Sequence, residues 1–471
     1  MDSPIAEFIS NYCHSSPVRL HMPGHKGMPL MGVEHMDITE IPGADSLYQA
    51  EGIIRSSEEN ASQLFGCPTY YSTEGSSQCI RAMLHLIQLH GGAHTRIIAA
   101  RNVHKSFLNG VALLDIPVQW VYPSEQGSYL SCALDYEVLE ELLVREKPTA
   151  FYVTSPDYLG NMADIPRLAQ ICHRNGVLLV VDNAHGAYLR FVTPSLHPMS
   201  LGADLCCASA HKTLPVLTGG AYLHISENAP GILRNQVRNA LALFGSTSPS
   251  YLILQSLDLA NAYLLGGYRY RLKETMRRVQ EMKQRLADYG YGLIGDEPVK
   301  ITLCPKPLGY TGQELDHLLR EQSIYCEYAD PDYVVLMVSP ELGSTQLKMV
   351  EEFLLSIPPL EPLTDQPPPV HPCEAEMSIR EAILSPSHSI PADHALGMIL
   401  AAPSVGCPPA VPIVICGERI DLAAIQCFRY YGISHISVVT NWYRAGMHPD
   451  NLTPRFYGLP KREPVRPRKP L

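Results

Sequence analysis

Ser209-Ala210-His211-Lys212-Thr213-Leu214-Pro215, with Thr218-Gly219-Gly220 close behind, lies between two apolar segments, Gly202 to Ala208 and Ala221 to Ile225. Both flanks read as buried strands, which leaves Lys212 in a small, polar, glycine-backed loop. A lysine in a partly dry site can act as an amine nucleophile toward a carbonyl. A solvated surface lysine fits the same string, so the stretch needs a second one to give it meaning. Upstream, Val177-Leu178-Leu179-Val180-Val181 is a continuous apolar run of the kind found in buried parallel strands. It ends in Asp182-Asn183-Ala184-His185-Gly186-Ala187. In open α/β sheets ligands collect at the carboxyl ends of strands, which places Asp182 for chemistry.

An amine that condenses with a carbonyl, beside a carboxylate that holds a ring nitrogen protonated, is the pair that pyridoxal phosphate requires. The lysine forms the Schiff base and the aspartate keeps the pyridine nitrogen protonated as an electron sink.

With 471 residues the chain predicts about two to four units. Apolar residues make up 46% and charged residues 18%, enough for a large core and against wholesale disorder. A net charge of −11, with no basic stripe interleaved with aromatics, argues against nucleic acid as a partner. The one basic run, Lys461 to Lys469, is broken by prolines and reads as a solvated tail. No signal-peptide pattern opens the chain and no apolar run reaches the length of a membrane span. Thirteen scattered cysteines, without paired zinc spacing, suit reduced thiols, so the reading is a soluble cytoplasmic protein with no metal. Cys206-Cys207 reads as packing rather than a redox pair. His21 and His25 have helical metal-ligand spacing, but Pro23 and Gly24 between them oppose a helix.

Along the chain, residues 1–35 read as a turn-rich arm and residues 36–290 as a large α/β domain with a mainly parallel sheet. In that domain short apolar strands alternate with helical patterns from Gly52 to Leu64 onward. A helical region from Leu252 to Ala287 is broken near Gly266-Gly267. Residues 291–357 read as a smaller α/β domain, with strands at Val299 to Cys304, Ile324 to Tyr328 and Tyr333 to Val338. Residues 358–374 form a Pro-rich, extended, exposed linker. Residues 375–471 make a C-terminal α+β domain, helical at Ser378 to Leu384 and Ala392 to Leu400, with a strand at Val411 to Cys416.

Several polar loops follow strands and would converge on one crevice. Gly75-Ser76-Ser77 opens a helix after a strand, as an anion cradle or an ordinary helix cap would. Arg101-Asn102-Val103-His104-Lys105-Ser106 and Thr154-Ser155-Pro156-Asp157-Tyr158 end two further strands.

With these residues in view, the chain resembles the fold-type-I (aspartate aminotransferase-like) pyridoxal-phosphate enzymes of the Orn/Lys/Arg decarboxylase family, in their short bacterial form. The motifs are His21 to Lys26, Asp37 to Glu40, Arg101 to Ser106, Asp182 to Ala187, Ser209 to Pro215 and Thr247-Ser248-Pro249-Ser250-Tyr251. Ser385-Pro386-Ser387 and Cys407 to Glu418 also fit. The resemblance implies pyridoxal 5'-phosphate as cofactor, Lys212 as the Schiff-base lysine and Asp182 on the pyridinium nitrogen. It implies that His104 stacks on the ring and that His185 lies near the phenolic oxygen. Gly75, Ser76, Ser77, Ser209 and His211 would surround the phosphate. Thr247 and Ser248 would reach the phosphate of a neighbouring subunit in a homodimer or higher homo-oligomer.

Three departures stand out. Asn183 replaces a common Glu beside the ring, Ala210 a common Thr, and Glu74 a common Asn, the last bringing a carboxylate near the phosphate that needs a partner. The implied reaction is decarboxylation of a basic amino acid (arginine, lysine or ornithine) to its amine, within polyamine biosynthesis. Glu418 and Asp330 are candidates for the substrate's far cation, although the ordinary place for a lone carboxylate is the surface. Aldol-type lysis or racemisation is the alternative within the cofactor class. A non-catalytic regulatory relative is the other, opposed by intact Lys212 and Asp182.

Overall fold

The computed structural model describes residues 2–124, 127–403 and 409–440, so Lys461 to Lys469 and Cys407 lie outside the described residues. Helices α1 (Pro4–His14) and α2 (Ile53–Phe65) precede the first strand. Strands and helices then alternate: β1 (Thr69–Ser72), α3 (Gly75–Gly91), β2 (Ile97–Ala100), α4 (Lys105–Leu114), β3 (Val118–Val121) and α5 (Tyr136–Glu146). The series runs on through β4 (Ala150–Thr154), α6 (Ile165–Arg174), β5 (Leu178–Asp182), β6 (Leu205–Ala208), the one-turn helix α7 (Ala210–Thr213) and β7 (Ala221–Ile225). Four helices follow: α8 (Gly231–Asn235), α9 (Val237–Phe244), α10 (Tyr251–Leu265) and α11 (Tyr268–Tyr289). Next come β8 (Gly292–Ile294), β9 (Lys300–Cys304), α12 (Gly312–Glu321), β10 (Tyr328–Ala329), β11 (Val334–Met337) and α13 (Ser344–Ser356). The last elements are α14 (Ile379–Leu384), β12 (Ser387–Pro391), α15 (Leu422–Tyr430) and β13 (His435–Val439).

Seven strands form one sheet in the order β1-β7-β6-β5-β4-β2-β3. The run β3-β2-β4-β5-β6 is parallel, and β7 lies antiparallel between β6 and β1. Strands β2, β5 and β6 are buried at every position, as continuous apolar runs covered on both faces should be. Cys79, Met83 and Leu84 of α3 pack with Phe107 and Leu108 of α4 in one buried cluster. Leu139, Leu143, Leu168 and Ile171 of α5 and α6 pack in another, with Ile98 and Val181. This topology brings the carboxyl ends of β2, β4, β5 and β6 and the N-terminus of α3 to one edge, where the site forms.

A four-stranded antiparallel sheet, β10-β11-β9-β8, packs its apolar residues with α11, α12 and α13. A third, two-stranded sheet pairs β12 with β13. The break at Gly266-Gly267 is where it was expected, with Gly267 at φ 84° capping α11.

Four local expectations are corrected. The arm begins with a helix: Pro at its first position starts α1, Ile5 and Ile9 are buried, and the Ile5 and Ala6 N–H groups donate to Asp258 Oδ2. Only Tyr328–Ala329 of the stretch from 324 forms a strand. Ala392 to Leu400 holds one 3-10 turn, Ala392–His394, rather than a helix. Val411 to Cys416 is buried but forms no strand, because Pro412 has no N–H and Arg101 takes the carbonyls of Pro412 and Ile413.

The Pro-rich stretch is extended and mostly exposed, as expected, but it is pinned. Lys306 Nζ donates to Asp365 Oδ2 (2.9 Å), Asp332 Oδ1 (2.7 Å) and Tyr430 Oη (2.7 Å), tying it to the second sheet and to α15. Cys206 and Cys207 are buried strand residues, as read. No helix among the described residues is long and apolar enough to cross a membrane.

Candidate active site

Lys212 sits on α7, which Ser209 starts and whose backbone is held by the glycine loop behind it. The His211 N–H donates to the Gly220 carbonyl, and the Gly75 N–H to that of Gly219. Gly219 has φ 101°, and a Cβ there would stand 2.9 Å from the Thr73 carbonyl oxygen, so only glycine fits. The Lys212 side chain enters a cavity of about 230 Å³ shared with Ser76, Asn102, His104, Thr154, Tyr158, Asp182, His185, Glu327 and Pro409, among others. The sequence-predicted Lys212, Asp182, His104, His185 and Ser76 therefore come together at the strand ends.

Asp182 is buried at the end of β5. Its Oδ1 accepts from the Ala184 N–H (3.1 Å) and its Oδ2 from the Tyr152 hydroxyl (3.3 Å). Burial pushes its carboxyl pKa up, which the cationic Lys212 opposes. His104 caps α4, with Nδ1 accepting from the Ser106 N–H (3.1 Å), which leaves its proton on Nε2. Burial, with the cations Lys212, Lys105 and Arg81 nearby, lowers its pKa to about 4.

His185 is held between two amines. Its Nε2 lies 3.0 Å from Lys212 Nζ and its Nδ1 lies 3.3 Å from Lys300 Nζ. Tyr158 meets the imidazole edge-on, with ring centroids 5.0 Å apart. Burial, then the two lysines, depress the imidazole pKa well below its ordinary value.

At the other end of the cavity, the Ser209 hydroxyl donates to Ser76 Oγ (2.9 Å) at the start of α3. The first-turn N–H groups of a helix have no acceptor within it and carry a partial positive charge. Because the Gly75 N–H is spent on Gly219, those of Ser76 and Ser77 remain for an anion. Ser77 Oγ pairs instead with Ser106 Oγ (2.7 Å). His211 anchors Nδ1 on the Gly220 carbonyl (2.9 Å), and a Cβ on Gly75 would lie 4.0 Å from its ring, so His211 borders the cradle.

Thr247 and Ser248 are exposed in the loop before α10 and do not line this cavity. Glu418 and Asp330 are corrected on two counts: they are buried, and neither lines it. Asp330 receives the N–H groups of Asp332 and Tyr333 and the Tyr328 hydroxyl, and burial raises its pKa to about 6. Glu418 accepts from the Ile415 N–H (2.8 Å), near Arg101.

The cavity carboxylate missed by the sequence reading is Glu327, whose Oε1 accepts from the Tyr158 hydroxyl (2.8 Å). Lys300 was missed as well, although a lysine inside Val299-Lys300-Ile301-Thr302-Leu303 is a signal, since lysine is rarely buried. Of the three departures, Asn183 is buried outside the cavity lining, where its Oδ1 would stand 2.0 Å from a Cβ on Gly186. Ala210 is core, and Glu74 is exposed, its Oε1 accepting from the Ser246 N–H rather than facing the cradle. His371, Cys373 and Asp421 lie together away from this site, where His371 Nε2 pairs with Asp421 Oδ2 at 2.9 Å.

A lysine, a buried aspartate and a helix-terminal cradle at the ends of a mainly parallel sheet define a fold-type-I pyridoxal-phosphate enzyme. The chain belongs to the Orn/Lys/Arg decarboxylase family, whose major domain matches residues 3–303. It is 28% identical over 455 residues to the arginine decarboxylase of Bacillus subtilis, spanning 89% of this chain and 91% of that protein. It is also 28% identical over 470 residues to the arginine decarboxylase of Halalkalibacterium halodurans, spanning 91% and 93%. Among solved structures, the Francisella novicida lysine decarboxylase LdcF superposes with a TM-score of 0.76 at 16% identity, covering 93% of this chain and 81% of that one. Lysine decarboxylase A of Pseudomonas aeruginosa gives 0.77 at 18% identity, covering 91% and 75%.

The cofactor of this enzyme is pyridoxal 5'-phosphate. The residues present fit it: an amine (Lys212), a buried carboxylate (Asp182) and the start of α3, whose first-turn N–H groups suit an anion, border one cavity.

Proposed function

We propose that the protein decarboxylates a basic amino acid, arginine foremost, and that Glu327 binds the cation at the far end of the substrate. One observation carries this reading. Among the described residues lining the cavity only Asp182 and Glu327 are carboxylates, and Asp182 would be committed to the cofactor. A planar guanidinium can take both oxygens of a carboxylate, which favours arginine, and the arginine decarboxylases among the relatives support the same choice.

Pyridoxal phosphate, when bound, supplies an electron sink for the pair left by departing carbon dioxide. The chain's own residues do the rest. Lys212 Nζ is the amine that would hold the cofactor carbonyl. Asp182 would keep a ring nitrogen protonated, and the neutral His104 would lie against the ring and offer its Nε2 proton. Ser76, Ser209 and the first turn of α3 would hold the phosphate, with Gly75, Ser77 and His211 around them. Leu130 and Val411 form apolar parts of the cavity wall and limit water around the scissile bond. Thr247 and Ser248, exposed here, would serve the site of a second copy of the chain. Exposed Leu20 and Met31, at 91% and 84%, are further surface that such a copy could cover.

Carbon dioxide release is measured from arginine, lysine, ornithine and a neutral amino acid, on the protein and on Lys212→Ala. Release from a basic substrate alone, lost in the variant, is expected. Bound cofactor with no release from any of them refutes the reading and moves it to another reaction of the same cofactor.

A further inference from the structure

Lys300, at the first position of β9, is 2% exposed and does not itself line the cavity, yet its amine reaches His185, which does. Nζ lies 3.2 Å from the Asp157 carbonyl oxygen, 3.4 Å from that of Tyr158 and 3.3 Å from His185 Nδ1. On the far side of the same imidazole stands Lys212 Nζ, 3.0 Å from Nε2. Two amines thus grip the two nitrogens of one buried ring.

Donor and acceptor counting restricts this array. A neutral imidazole donates from one nitrogen and accepts at the other. Whichever lysine faces the N–H must offer a lone pair and is uncharged; the other can be an ammonium. The three contacts of Lys300 satisfy either form. An ammonium donates to two carbonyls and to Nδ1, whereas a neutral amine donates to the carbonyls and accepts from Nδ1–H. Two ammonium groups on one dry ring would repel, so the array favours at most one positive charge, shared between the two amines.

We propose that Lys300, His185 and Lys212 form a proton relay, with Lys300 as the buried second station for the proton of Lys212. Nζ of Lys300 releases a proton to Nδ1 while Nε2 gives its own to Nζ of Lys212. One unit of charge moves from Lys300 to Lys212, and the imidazole ends neutral in its other tautomer. Reversal frees the Lys212 amine for attack on a carbonyl. Decarboxylation replaces a carboxylate by hydrogen and takes up one proton per turnover, drawn from solvent, and the relay keeps one beside the cavity. Lys300 acts through His185 and is a positioning residue.

Other groups bear on the array. Glu297, Asp157 and Glu327 face Lys300, His104 and His211 act on His185, and Asp182 acts on Lys212. Burial lowers the pKa of Lys300, and Glu297 and Asp157 oppose that.

The relay rests on Lys212 being the carbonyl-binding amine, so the test reads that step without substrate. Pyridoxal phosphate is added to cofactor-free protein at a series of pH values, and the rate of growth of the visible band is followed. With Lys300→Met the shared proton has only Lys212 to occupy, and the rate profile moves to higher pH by about one unit or more. With Lys300→Arg a permanent donor holds Nδ1, and the profile moves to lower pH. His185→Gln removes the middle station with both lysines intact, and moves the profile upward whether or not the Lys300 variants fold. Slower binding at every pH with an unmoved midpoint in the folded variants overturns the relay. A visible band that persists in Lys212→Ala overturns instead the assignment of Lys212.

Discussion

Replacing Glu327 by glutamine removes one negative charge and little else. The amide keeps an acceptor oxygen for the Tyr158 hydroxyl, which donates to Glu327 Oε1 at 2.8 Å. The backbone N–H of Glu327 still donates to the Val335 carbonyl, so its place beside β11 is retained. On the proposed reading, what is lost is a charge-assisted contact to the substrate's far cation. Glu327 is half-buried, and a hydrogen bond to a charged group in such a place is worth about 2 kcal/mol. That predicts a fall of roughly 30-fold in kcat/KM for arginine. The far cation does not change charge as carbon dioxide leaves, so the contact is equally strong before and during the reaction, and the loss falls mainly on KM. Initial rates of carbon dioxide release over a range of arginine, with the cofactor band recorded to show equal loading, measure it. An unchanged kcat/KM, or an equal loss of kcat with KM constant, would refute Glu327 as the binding carboxylate.

Two further outcomes concern stability. Lys306→Met leaves Asp332, 5% exposed, without its ammonium, and breaking a buried pair in this way costs about 3 kcal/mol; the partly exposed Asp365 adds little. Urea unfolding followed by circular dichroism should show that loss, and an unmoved midpoint would mean that the pinning of the linker carries no stability. His197, fully buried beside Phe65 and His224, has its pKa lowered by burial to about 3. The unfolded chain binds a proton there near pH 6.5 while the folded chain does not, so this stability is present above that pH and is lost as pH falls toward 3. Glu58, raised by burial to about 7, and Asp330, raised to about 6, act in the opposite sense; they are the same in a His197→Phe variant and cancel in the comparison. Between pH 7 and pH 5 the parent should lose about 2 kcal/mol more than that variant, and equal losses would show that His197 does not stay neutral.

The central layers of the fold were legible because their signal is local. A strand buried on both faces must be apolar along its length, and Leu178–Asp182 and Leu205–Ala208 announce themselves that way. Lys212 and Asp182 were legible because each ends such a run. Val411 to Cys416 has the same composition and misled, since whether an apolar run joins a ladder depends on a neighbouring strand that sequence does not display. Helix α1 was hidden because its anchor is Asp258, which receives two of its N–H groups from more than 250 residues away. Glu327 was hidden for a related reason. It becomes a cavity residue only when the second sheet docks Tyr328 against Tyr158, with ring centroids 5.3 Å apart.

The same long-range dependence explains why the turn after β2 has the sequence it has. His104 and Asn102 of this turn line the cavity, while Arg101 and the Lys105 backbone bond a distant segment. The Lys105 N–H donates to the Ala410 carbonyl, and the Arg101 guanidinium donates to those of Pro412 and Ile413. Pro409 and Val411, which interleave with those three residues, are walls of the cavity. Arg101 is 3% exposed, and the buried Glu418 nearby offsets part of the cost of desolvating its charge. The stretch from Arg101 to Lys105 thus places His104 on the cavity and clamps the distant segment that walls it. The spacing of Arg101 and His104 is therefore a constraint on the cavity wall as much as on the place of His104 in it, and a change at Arg101 reaches the cavity through that wall.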